Sequence, residues 1–176
     1  MTALPRLTLR QTLTATSLCL MTILAAVLVT TLSLSQRESL IENAQSAQRV
    51  TLRVLSHDLA ATMAAYSARV DESGAVTDVV WDAIPAEMDH ATVDSVGAQT
   101  GETVTIFRWD AAKAEFVRVT TNVKRPDGTR AVGTSLDPTG PVHAAMLRGE
   151  TYQGAATILE QPYLTLYVPV RDAQGR

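Results

Sequence analysis

The stretch "EFVRVTTNVKRPDGTRAVGTSL", residues 115–136, decides how the second half of this chain folds, because it reads in two ways. Gly128 and Gly133, followed by Thr134 and Ser135, resemble a loop that cradles phosphate. Such a loop of the Walker type needs a lysine directly after its second glycine, to reach the terminal phosphates, and a helix after that. Here Thr134 follows Gly133, and "TRAVGTSL" has the texture of a strand. The hairpin reading explains more residues. Pro126 and Asp127 suit the central positions of a type I turn, and Gly128 suits the left-handed position that closes a three-residue loop. Arg125 then faces Thr129, and the pairing continues as 124 with 130, 122 with 132 and 120 with 134.

Side chains alternate across a strand. In that register Arg118, Thr120, Asn122 and Lys124 share one face with Arg130, Val132 and Thr134. Val117, Val119, Thr121 and Val123 take the other face beside Ala131, Gly133 and Ser135, where a helix can pack. A two-residue loop at Asp127-Gly128 would slip the partner strand by one, so that Ala131 and Gly133 accompanied Arg118 instead. Two guanidiniums beside two threonine hydroxyls suit a carboxylate, since arginine offers a planar pair of donors.

Working outward, "TVTIFRW" (103–109) and "EFVRVTTNVK" (115–124) read as consecutive strands, and "YQGAATIL" with "PYLTLYVPV" as another hairpin around Glu160 to Gln161. In the last of these, Tyr163, Thr165 and Tyr167 alternate with Leu164, Leu166 and Val168, adding two tyrosine hydroxyls to the candidate pocket. The candidate ligand-binding residues are therefore Arg118, Thr120, Arg130, Thr134, Tyr163 and Tyr167. The plainer alternative is that the arginines are solvated or pair with acids such as Glu115 or Asp137, and that the tyrosines cover a sheet edge. "DHATVDSVGAQTG" (89–101) predicts a helix capped by Asp89 and stopped at Gly101, and "PVHAAMLRG" (141–149) a short helix with Pro at its start. "AVTDVVW" (75–81) is a first strand, although residues 74–88 carry little pattern.

At the other end, no residue from Gln11 to Gln36 is charged. That is longer than the ~20 residues a helix needs to cross a bilayer core, and longer than the apolar region of a cleaved signal peptide. Arg6 and Arg10 precede the span with no acid in the first 36 residues, whereas Arg37, Glu38 and Glu42 follow it. The positive-inside tendency makes 1–10 cytoplasmic, 11–36 a membrane helix and 37–176 an extracytoplasmic domain of the inner membrane. Residues 37–70 lack Gly and Pro and place apolar groups from Leu40 to Val70 mostly three or four apart, which predicts a long amphipathic helix suited to dimerisation. One long helix followed by an antiparallel sheet with short helices is an α+β arrangement. The final "DAQGR" reads as a hairpin turn with no strand after it, so the chain is expected to stop short of its natural end.

Other chemistry finds little support. A net charge of −3 with no basic block argues against nucleic acid. His57, His90 and His143 lack the spacing of a zinc site, and Cys19 is the only cysteine. There is no G-x-S-x-G, no H-E-x-x-H and no cysteine outside the apolar span, and Asp78 with Asp82 is an ordinary solvated pair. No cofactor is implied, and a binding module is preferred to an enzyme.

From Val93 to Arg176 the chain resembles the Cache 3/Cache 2 fusion type of single Cache sensor domain, in "TIF", "FVRVTT", "DGTRAVGT", "RGETYQG", "PYLTLYVP" and "DAQG" in that order. The resemblance implies a PAS-like antiparallel sheet on a long N-terminal helix and a small-molecule pocket on the other face. It also implies a last strand, a second membrane helix and a cytoplasmic signalling part beyond this chain. Such domains form the extracytoplasmic part of bacterial methyl-accepting chemotaxis proteins and of some sensor kinases and cyclases. A small organic acid is the expected ligand. A ligand-free stalk or interaction module is the alternative.

Overall fold

The computed structural model describes residues 9–175, so most of the expected cytoplasmic segment 1–10, Arg6 included, lies outside the described residues. The chain divides at Glu42 into two units. Among the described residues the first unit is helix alone, the beginning of α1 (Leu9–Thr62). Leu18, Leu24 and Leu28 are 66, 70 and 67 % exposed, so this apolar surface finds no protein to cover it. It is long and apolar enough to cross a membrane. Its threonines turn their hydroxyls inward: Thr22 donates to the Cys19 carbonyl at 2.8 Å and Thr31 to the Val27 carbonyl at 3.0 Å. Each thereby hides its polar atom from an apolar surround.

The second unit starts at Asn43, within α1. The helix ends at Thr62, not at Val70 as the periodicity predicts, and Ala65 turns the chain with a φ of 60°. The segment beyond it, rich in residues that suit either state, becomes β1 (Tyr66–Val70) because it pairs with β2 (Val76–Trp81). Short apolar runs are ambiguous in this way, and a strand partner decides them. There follow α2 (Ala91–Thr100), β3 (Thr105–Asp110), β4 (Glu115–Thr121), α3 (Pro141–Leu147), β5 (Tyr152–Ile158), β6 (Gln161–Tyr167) and β7 (Val170–Arg171).

The strands form three small sheets, β1-β2-β7, β3-β4 and β5-β6. The expected α+β fold with antiparallel strand pairing is present, and β2 with β7 adds one short parallel pairing. The β5-β6 loop is Leu159-Glu160, with φ of 48° and 65°, which matches the left-handed pair that a tight hairpin requires. Gly101 ends α2 in the left-handed conformation as expected; at the start, Asp89 accepts a hydrogen bond from the Ala91 amide, while His90 occupies the N-cap without a side-chain cap.

The 124–136 region is half as predicted. The Arg125 amide donates to Thr129 at 2.7 Å, the Gly128 amide to Arg125 at 2.9 Å, and Lys124 bridges Arg130, so the three-residue loop is present. The strand expected at 129–136 is not. Its pairing breaks into two isolated bridges, Lys124 with Arg130 and Val117 with Ser135, separated by a turn in which Thr134 N–H donates to the Ala131 carbonyl and Gly133 has a φ of 77°. Gly133 therefore serves a turn, a role that its position in a β-like string conceals.

The main core joins Leu55 and Leu59 of α1, Trp81 of β2, Val93 and Val96 of α2, and Val104, Ile106 and Val119 around the β3-β4 ribbon. Arg130 fastens α2 to this ribbon. Its guanidinium grips both carboxylate oxygens of Asp94, at 2.6 and 2.8 Å, and donates to the Thr121 carbonyl at 2.8 Å. The Arg130 hydrogen bonds hold the Asp94 carboxyl below its ordinary range. A carboxyl depressed in the folded state stabilises the fold above its unfolded pKa of about 4 and loses that contribution as pH falls through the folded value. Asp94→Asn should accordingly lower the melting temperature at pH 7 and leave a flatter decline below about pH 4, so that the two proteins converge in acid. Parallel melting curves from pH 7 to pH 2.5 would contradict this.

Candidate functional site

The six candidate residues do not lie together. A β-bulge decides where they go. Ile106 is opposite Thr120, but Phe107 is opposite Arg118, so Val119 is an extra residue in β4. Partners across the ribbon share a face while neighbours along β3 do not. Thr120 therefore faces the same way as Ile106, and Arg118 the same way as Phe107. The simple alternation expected from the sequence places them together, and the bulge separates them.

On the first face, Thr120 is fully buried and ties β4 to the start of α2. Its hydroxyl donates to the Asp89 carbonyl at 2.9 Å and lies 2.8 Å from His90 Nδ1, which must then be the protonated nitrogen. Arg130, paired to Asp94, belongs to the same fastening. Tyr163 lies elsewhere, packed on Val123, Ala131 and Ile158.

The second face keeps Arg118, Thr134 and Tyr167. Arg118 is 4 % exposed, and its Nη1 donates to the Thr134 hydroxyl, which in turn donates to the Ala131 carbonyl at 2.8 Å. The guanidinium lies over the Phe107 ring, 4.9 Å from its centroid. Phe107 in turn meets Tyr167, with ring centroids 6.0 Å apart. Arg118 Nε is buried with no hydrogen-bond partner, and none of the ion pairs in the described residues includes this arginine. Burial pulls its pKa down, opposed by Tyr167 and assisted by the positive Arg125. Burial raises the Tyr167 phenol, which stays neutral and able to donate.

The next rung of the same face is Trp109 opposite Phe116, with ring centroids 4.8 Å apart. His143 of α3 is edge-on to Phe116 at 5.5 Å. These aromatic residues escaped the sequence reading; once β3 and β4 are paired, their two-residue spacing from Phe107 and Arg118 is the signal that finds them.

Two cavities adjoin Tyr167. The larger, about 730 Å³, runs along consecutive residues of β3 and of β6, the signature of strand edges rather than of one strand face. The smaller, about 150 Å³, lies under α3, bounded by Leu136, Val142, Ala155 and Tyr167. Leu136 and Tyr167 border both. Tyr163 and Tyr167 both line the larger cavity, whereas Arg118 and Thr134 line neither of the two. Among the described residues no group of three or more metal-ligating side chains occurs.

The Cache 3/Cache 2 fusion domain model matches residues 24–176. No curated protein and no solved structure matches the chain.

Proposed function

The chain belongs to the Cache 3/Cache 2 fusion domain family, and we propose that it is the ligand-sensing portion of a bacterial chemoreceptor that binds a small organic acid beside Arg118. Cache domains are ligand-binding sensors of signal-transduction receptors rather than catalysts. The observation that carries the ligand class is Arg118, a guanidinium removed from water with one threonine hydroxyl as partner and no acid. A buried charge is costly until something of opposite sign pairs with it. A carboxylate supplies that sign, Arg118 and Tyr167 supply donors, and the Thr134 hydroxyl, whose own hydrogen goes to the Ala131 carbonyl, orients the guanidinium. This narrows the six candidates to three: Arg118, Thr134 and Tyr167 form the site, while Thr120 and Arg130 act through α2, and Tyr163 supports β6.

In this reading the apolar part of α1 anchors the protein in the inner membrane with the N-terminus cytoplasmic and the domain outside. Two copies pair along α1, and the same sensor would equally serve a histidine kinase or cyclase. Signalling requires the ligand to bind two conformations with different affinity, since equal affinity shifts no population.

A thermal-shift screen of the full chain in detergent micelles tests the ligand class, using small mono- and dicarboxylates, amino acids and purines. A ligand that binds only the native state raises the melting temperature with concentration, by about 2.7 kcal/mol of stabilisation at a hundred times Kd. A response to acids supports the proposal. A response confined to purines refutes the acid class, and no response to any compound favours a stalk without a ligand.

A further inference from the structure

The larger cavity has the form of a strand. Residues 101–109 and 163–172 line it without a gap, whereas a pocket on one sheet face meets every second residue. The cavity therefore passes between two strand edges. Among the described residues β3 pairs only with β4 and β6 only with β5, so each keeps one outer edge. In β4 the Arg118 N–H donates to the Thr134 carbonyl and the Arg118 carbonyl accepts from the Gly133 N–H, both at 3.0 Å, while the Phe116 carbonyl accepts from the Leu136 N–H at 2.8 Å. Phe116 and Arg118 thus turn their main-chain groups away from β3, and Val117 between them turns toward Arg108. By alternation, Phe107 and Trp109 present theirs to the cavity. On the opposite side, the two-residue Leu159-Glu160 loop makes Ile158 and Gln161 exchange both hydrogen bonds, so Tyr163, Thr165 and Tyr167 bond to β5 while Leu164 and Leu166 point outward. Consistent with this, the Leu164 carbonyl accepts from the Gln48 side chain of α1 at 2.6 Å.

The fold also aims polypeptide at this position. Asp172 borders the cavity, and there the chain reverses: the Gly175 N–H donates to the Asp172 carbonyl at 2.9 Å, and Gly175 has a φ of 81°. The same closing bond and left-handed glycine occur from Arg125 to Gly128, where the Arg125 amide goes on to pair with Thr129. A chain leaving Gly175 in that way runs back alongside residues 163–171. We infer that the cavity is a strand position, taken by the polypeptide that returns from the Asp172–Gly175 turn, antiparallel to β6 and hydrogen-bonded to β3 along its other edge. The two two-stranded ribbons and this strand then make one five-stranded sheet. The spacing suits it, since the Phe107 and Tyr167 rings, 6.0 Å apart, can meet across two strand spacings of about 4.8 Å each. Alternate side chains of the strand fall against Leu52, Leu55 and Leu59 of α1 on one side and against Phe107 and Tyr167 on the other. Its sequence should therefore be apolar throughout, rich in β-branched residues and free of proline. The acid site stands apart from it, because Arg118 and Thr134 line neither cavity.

The test extends the full chain past Arg176 by a probe strand of valine and isoleucine, seven residues long like β6, and reads amide hydrogen exchange in detergent micelles. The extension should slow exchange at Phe107, Trp109, Leu164 and Leu166 by roughly tenfold or more relative to the unextended chain. The same extension with two prolines in it cannot complete the ladder and should leave exchange unchanged. Protection of Leu164 and Leu166 without Phe107 and Trp109 overturns the inference, since the strand then only widens β6. Equal protection by the proline control overturns it, and so does no protection at all. If the extended chain aggregates, the same run added as a separate peptide decides by whether it protects those four amides. Protection in the unextended chain that rises with protein concentration overturns the choice of occupant, because a second copy then supplies the strand.

Discussion

Arg118→Met removes acid binding and, in the absence of ligand, makes the protein more stable. These opposite effects follow from one fact, that the guanidinium is 4 % exposed and has no acid to balance it. Charge-assisted hydrogen bonds are worth about 1.5–3 kcal/mol, so affinity for a carboxylate should fall roughly 10- to 100-fold. Without ligand the same charge is only desolvated. Exchanging buried ionic groups for apolar side chains of similar volume is often neutral or stabilising by about 1–4 kcal/mol, and Met keeps the contact with the Phe107 ring. Thr134 loses its donor but still donates to the Ala131 carbonyl. Arg118→Lys is the control: it keeps the charge and loses the planar fork, so binding should weaken while the stability gain is absent. Titration calorimetry together with urea unfolding reads both effects. A variant that unfolds more easily than the parent would mean that Arg118 is already satisfied by the fold and is not waiting for a ligand.

The largest loss of stability is expected from Trp81→Ala. Trp81 ends β2 at 5 % exposure, sits opposite Tyr66 of β1 and meets its ring edge-on, with centroids 5.4 Å apart. It belongs to the cluster in which Leu55 and Leu59 join Val93, Val96 and Ile106. Truncating a buried aromatic residue to alanine costs about 3–5 kcal/mol, because the cavity left behind closes only in part. Total stability of a domain is about 5–15 kcal/mol. The melting temperature should therefore fall by on the order of 10–20 °C. Tyr66→Phe, which keeps the ring pair and removes only the hydroxyl, should cost far less. A drop under about 5 °C in Trp81→Ala would show that the ring fills space the structure does not need filled.

The sequence reveals the helices and most strands because their signals are local. Gly101 and Pro141 end and begin helices by their own backbone preferences, and the uncharged run from Gln11 to Gln36 needs no tertiary context. The loop at Pro126-Asp127-Gly128 is legible for the same reason. Legibility stops where a partner strand decides. Tyr66 to Val70 continues a helical stripe and yet pairs with β2. Val119 looks like any β-branched strand residue, and only the register shows it to be a bulge. The candidate site inherits that uncertainty directly: an even-numbered alternation groups Arg118 with Thr120 and Arg130, and one inserted residue reassigns two of the three.

The bulge also has a mechanical meaning. Arg118 and Thr120 are held to opposite sides of a single strand, the first against Phe107 and Tyr167, the second against the carbonyl of Asp89 and the ring of His90. Between them lies only the backbone of Val119. The path from the guanidinium to the root of α2 runs through two planar peptide units, with only the intervening φ and ψ left soft and no loop between the two arms.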